Sequence, residues 1–136
     1  MAMLKLSLIL LLAATAAQAQ LAVTVSPVKI VGQKAIVPLA LTNRFNEKIE
    51  SARAAVFLLD KDGKMVGQTT RWVIGGSADK PGLAAGATNA FNFVVTGIKP
   101  IDTTNLNARV IFSRVILEGG KLVDVHKAAE VRNLRN

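Results

Sequence analysis

Nowhere in residues 20–136 does an apolar stripe at i, i+3, i+4, i+7 last long enough to make a packed helix. The apolar residues fall instead into short, β-branched segments broken by Gly, Asn, Asp and Pro, a pattern that restricts the chain to strands joined by turns. Seven strands are expected, at about 21–31, 34–43, 50–60, 64–74, 88–96, 106–118 and 121–131. Pro27 and Pro38 fall inside the first two, which marks those strands as bulged or edge-like. The connections "NRFNEK", "DKDG", "GGSADKPGLAAG", "GIKPIDTTN" and "EGG" each carry turn residues. Two are hairpins, "LLD-KDG-KMV" and "ILE-GG-KLV", whose glycines supply the positive φ of a tight turn. Seven short strands at this spacing indicate a two-sheet antiparallel sandwich, with a small barrel as the alternative. There is no internal repeat, and the longest loop, 75–87, is too short to separate a second domain from the first.

Alternation along the strands separates a core face from an outer one. Phe91, Phe93 and Val95 point one way in "NAFNFVVT". Ala52, Ala54, Val56 and Leu58 oppose Ser51, Arg53, Ala55, Phe57 and Leu59, so this strand becomes apolar on both faces near its end. Phe57 and Leu59 are expected to be covered by a loop or by the tail 128–136, unless a partner or a second copy of the chain covers them. Leu106, Ala108, Val110 and Phe112 share the core face of the next long strand. Strict period two would carry Arg114 into the core as well, so a bulge or a departure from the sheet is expected near Ser113.

The N-terminal segment has the form of a cleaved signal peptide. Lys5 supplies a positive charge, "LSLILLLAATA" an apolar stretch too short to span a bilayer, and Ala17-Gln18-Ala19 a small-x-small site before Gln20. The expected organisation is therefore residues 1–19 as signal and 20–136 as one β-sandwich domain, periplasmic or secreted from a bacterium. The chain has no cysteine, which excludes lipid attachment and a disulfide framework, so packing alone must hold the fold. No other stretch is long and apolar enough to be a membrane span. The formal net charge is +8, of which Lys5 contributes one. The remainder is spread, with some concentration at Lys127, Arg132 and Arg135 in the tail, and for an exported chain it favours an acidic envelope protein or an anionic envelope polymer over nucleic acid. A solvated basic surface that keeps a small domain dispersed accounts for the same charge.

Chemistry-bearing motifs are few. Asp60 and Asp62 in "DKDG" suggest a calcium loop, but counting from Asp60 puts Lys64, Met65 and Arg71 at positions 5, 6 and 12, where an EF-hand needs an oxygen ligand, a glycine and a glutamate. The two aspartates read as turn residues whose carboxylates accept backbone N–H groups. His126 is the single histidine; Asp124, two residues before it on an expected strand, shares its face and could orient the imidazole as an acid/base pair. No nucleophile elbow surrounds Ser51, Ser77 or Ser113, and no phosphate loop or dinucleotide fingerprint occurs, so neither a cofactor nor a metal is expected. Trp72, the single tryptophan, either fills the space between the sheets or stacks on a sugar ring or base with Arg71 beside it. The chain has no tyrosine and five phenylalanines, mostly in core phase, which disfavours a stacking platform for single-stranded nucleic acid.

The stretch "VFLLD", followed by "KDGKMVG" and then "LAAGATNAFNF", resembles the small exported bacterial sandwich domains named for an F-x-L-Y-D motif. Leu58 and Asp60 match its leucine and aspartate, and Leu83, Gly86, Phe91 and Phe93 match the later portion, while Val56 and Leu59 replace the phenylalanine and tyrosine. The resemblance spans roughly residues 33–131 and implies an all-β, seven-stranded antiparallel immunoglobulin- or fibronectin-like sandwich in an extracytoplasmic setting, with no catalytic residues to carry over. Two functions follow as expectations. The first is a non-catalytic envelope binding module that uses Arg53, Phe57, Arg71, Trp72 and Arg109, the 75–87 loop or an open strand edge. The second is a small-ligand carrier or enzyme using Trp72, Asp124 and His126.

Overall fold

The computed structural model describes residues 20–77, 79–96 and 105–134. The expected signal peptide, most of the "GIKPIDTTN" connection and Arg135 lie outside them. The described residues are all-β apart from a 3-10 turn at Glu118–Gly120 and one helical turn, α1 (Val125–Ala128). They form nine strands: β1 (Leu21–Val25), β2 (Lys29–Val31), β3 (Lys34–Asn43), β4 (Ile49–Leu59), β5 (Met65–Ile74), β6 (Thr88–Thr96), β7 (Asn107–Leu117), β8 (Lys121–Leu122) and β9 (Ala129–Asn133).

The strands form two sheets. In the five-stranded sheet, β6 lies on one edge of β3, β2 and β1 share the other, and β9 lies beyond β1. The four-stranded sheet has the order β5-β4-β7-β8. The apolar faces meet in one core, in which Leu21, Val37, Leu41, Val56, Leu58, Phe93, Val95 and Val115 are fully buried. Phe91 stands at the margin of this core, half-buried and edge-on to Phe93 with ring centroids 6.1 Å apart. Lys80 Nζ lies 5.5 Å from its ring.

Three details correct the reading from sequence. The segment 21–31 is two strands, because Ser26-Pro27-Val28 breaks it. Pro38 lies in a central strand rather than an edge strand. Its C=O accepts from Ser26 N at 2.9 Å, and the N–H it lacks would point the same way, towards the gap between β1 and β2 and away from β6. The segment 121–131 is not one strand either. Asp124 caps α1, which redirects the chain from the four-stranded sheet to the five-stranded one, where β9 pairs parallel with β1 from Leu21↔Ala129 to Val25↔Asn133. The pairing is therefore not wholly antiparallel, and the described residues form nine strands rather than seven.

The bulge expected near Ser113 is present. Arg53 pairs with Arg114 and Ala54 with Phe112, which leaves Ser113 as the extra residue, so Arg114 turns outward while Val115 and Leu117 return to the core. Both hairpins form as well. In the first, Asp60 Oδ1 accepts from Asp62 N and Lys64 N, each at 2.9 Å, so this carboxylate serves the turn.

Candidate functional site

Pairing registers place the outer residues of the four-stranded sheet in rows. Phe57 on β4 is flanked by Gln68 on β5 and Arg109 on β7; Ala55 by Thr70 and Ile111; Arg53 by Trp72 and Arg114. Leu59 closes the face between Met65 and Asn107. Neighbouring side chains in such rows stand about 5 Å apart at Cβ, close enough to act as one surface. Its middle is apolar, with Ile111 40% exposed, Met65 at its end is 53% exposed, and its basic groups are Arg53, Arg109 and Arg114. None of these positions holds a carboxylate, and among the described residues the three guanidinium groups enter no ion pair.

Four of the five residues expected to bind a partner, Arg53, Phe57, Trp72 and Arg109, thus share one face. Arg71 does not. It pairs with Ala54, whose side chain is buried in the core, so Arg71 projects from the opposite side of β5, which is the outermost strand. Trp72 is not between the sheets; it is half-buried on the outer face, with Arg53 Cζ 5.9 Å from its ring centroid. Gly76 packs against the same indole, and a Cβ at that position would meet ring atoms. The expected companion of Trp72, Arg71, is replaced by Arg53 because a single step along β5 reverses the face. The described part of the tail, residues 128–134, does not cover Phe57: β9 belongs to the other sheet.

The acid/base fragment is arranged differently from the expectation. Asp124 Oδ1 accepts from the backbone N of His126 at 3.1 Å as the cap of α1, so its hydrogen bond goes to the main chain rather than the imidazole. Trp72 lies on β5 and His126 beyond β8, with β4 and β7 between them. The structure does not bring Trp72, Asp124 and His126 together. Among the described residues, no cluster of His, Cys, Asp or Glu could hold a metal ion.

Asn43 was not singled out from sequence, although much depends on it. It is fully buried; its Nδ2 donates to Glu47 O at 3.0 Å and Leu83 O at 2.9 Å, and its Oδ1 accepts from Phe45 N at 2.9 Å. Together with the reciprocal backbone bonds between Ile49 and Leu83, these contacts moor the 75–87 loop beside the start of β4. The loop thereby holds Gly76 against Trp72. The signal available in sequence was weak: an asparagine opening a turn is ordinary, and its burial depends on two distant loops.

No family model and no curated protein sequence matches the chain. Among solved structures it resembles IrmA from Escherichia coli with a TM-score of 0.52 at 12% identity, over 88% of this chain and 96% of that one. A structural-genomics target, SoR45, aligns with a TM-score of 0.40 at 8% identity, over 76% of this chain and 75% of that one. An alkylpurine DNA glycosylase from Pseudomonas fluorescens, AlkC, solved with DNA, aligns with a TM-score of 0.37 at 17% identity, over 93% of this chain and 33% of that one. The likeness to IrmA concerns the fold alone, and the other two carry no argument about this chain.

Proposed function

We propose that this chain is an exported, non-catalytic binding module of the bacterial envelope, an immunoglobulin- or fibronectin-like sandwich that holds an acidic partner against the outer face of its four-stranded sheet. One observation carries the reading: an apolar centre at Phe57, Ala55 and Ile111 is bordered by Arg53, Arg109 and Arg114 with no carboxylate in the same rows. Apolar and aromatic centres bordered by arginine are the composition of protein-binding surfaces, and unpaired guanidinium groups favour carboxylates or phosphates. The partner is an envelope protein or an anionic envelope polymer. The leader pattern at Lys5 and Ala17-Gln18-Ala19 supports export, and the likeness of "VFLLD" and "LAAGATNAFNF" to F-x-L-Y-D domains supports the same setting.

The test is capture from cross-linked envelope extracts. Wild-type protein and the His126→Ala variant should recover the same partner in defined ratio, and the double variant Arg53→Glu, Arg109→Glu should recover about tenfold less, with recovery falling as salt rises. Equal recovery by the double variant would sink this reading, and loss of a turnover with His126→Ala would replace it with an enzymatic one.

A further inference from the structure

β7 has β4 along one edge, but on the other β8 reaches only Ile116 and Leu117. Just beyond that hairpin Val115 O accepts from Val123 N at 3.2 Å, and at the far end Ala108 O accepts from Asn133 Nδ2 at 2.9 Å. Both carbonyls point away from β4. Because backbone groups alternate along a strand, the N–H and C=O of Val110 and Phe112 point the same way as those of Ala108. Among the described residues nothing pairs with these four groups. Those of Val110 border a cleft of about 620 Å³ between the two sheets, with Leu106 and Val110 on one side and Val131 and Leu134 on the other, and those of Phe112 continue the same edge beyond it. Backbone N–H and C=O groups along a partly covered strand edge are costly to leave unpaired, and an added strand would satisfy them.

Side chains define what such a strand must carry. Its residues opposite Val110 and Phe112 would share the core face on which those two side chains are buried and must be apolar, the one opposite Val110 entering the cleft, while those between them would stand on the outer face beside Arg109 and Arg114, where a carboxylate is the complementary group. We propose that the open edge of β7 takes up, by antiparallel strand addition, an extended acidic segment of the partner protein, with alternate apolar residues on the core side and carboxylates facing Arg109 and Arg114. This rests on the binding-module reading above and specifies how the partner is held.

The test uses amide exchange on the purified protein and, as probe, a blocked peptide of about eight residues alternating valine and glutamate. In the free protein the amides of Val110 and Phe112 should exchange about tenfold or more faster than those of Arg109 and Ile111, which face β4, and the peptide should slow both by about tenfold or more. In antiparallel addition the N–H groups of the valines face β7. N-methylation of the valines should therefore abolish binding, and N-methylation of the glutamates should preserve it. Arg109→Glu should weaken the peptide about fivefold or more. Unchanged binding of the valine-methylated peptide would overturn strand addition while leaving the outer face as a binding surface. Protection of Val110 and Phe112 that rises with protein concentration alone would assign the edge to a second copy and overturn the proposal. Failure of the peptide to protect either amide would overturn it too, and the capture comparison with Arg53→Glu, Arg109→Glu would still report on the module itself.

Discussion

Asn43 makes three side-chain hydrogen bonds at full burial, so its loss strands the Glu47 carbonyl and the Phe45 N–H and takes from Leu83 O one of its two donors, the other being Ile49 N. Asn43→Ala should cost about 3 kcal/mol or more of unfolding free energy in urea titration, because buried groups left unpaired each cost about 1–3 kcal/mol. Gly75 is a second fixed point. It sits at φ +58°, and a Cβ there would run into Glu50 O, so Gly75→Ala should cost about 3 kcal/mol by the same measurement. Asp79, in the same loop, is tuned rather than fixed. The Ser77 hydroxyl donates to its carboxylate at 2.7 Å, and this bond, with a smaller contribution from its own backbone N–H and from the charge of Lys80, holds the carboxyl below its ordinary range. A folded value below the unfolded one means that the stabilisation is complete above the ordinary aspartate range and fades as pH falls through the folded value. Ser77→Ala should return the Asp79 titration, followed by NMR, towards that ordinary range; an unmoved titration would mean that Ser77 is not its main cause.

At the scale of elements, β7 was the most legible. A charge at a core-phase position, Arg114, required an extra residue before it, and Ser113 is that residue. Deletion of Ser113 should therefore leave the later strand in phase and change stability by no more than about 1 kcal/mol. Deletion of Ile111 should turn Phe112 to solvent and cost about 2–3 kcal/mol of lost burial. Thermal unfolding of the two deletions distinguishes them, and equal losses would contradict the bulge assignment. The ends of the chain were less legible for a physical reason. "DVHKAA" can be read as an aspartate capping a helical turn, but four residues of helix leave no periodic trace, and pairing of β9 with β1 joins residues at opposite ends of the domain. Likewise, Pro38 signals an absent N–H but not which side of β3 that absence falls on, and only the interruption between β1 and β2 at Ser26–Val28 decides it.

Across the whole molecule, local alternation put Arg53, Phe57 and Arg109 on the outer sides of their own strands before any sheet was known, and the pairing of β4 with β7 joins them on one face. Placement of Trp72 on that face needed more, since the bulge at Val73 and the packing of Gly76 against the indole depend on how the 75–87 loop returns to β4. The two sheets also offer contrasting outer surfaces. Ile111 lies amid arginines on the four-stranded sheet, whereas Ala40 is exposed on the five-stranded sheet between Thr24 and Ala90. Site-specific photo-cross-linking from each position, in cells making the full chain, tests the central claim most directly. A discrete adduct is expected from Ile111 and none from Ala40; the same adduct from both positions, or an adduct from Ala40 alone, would contradict it.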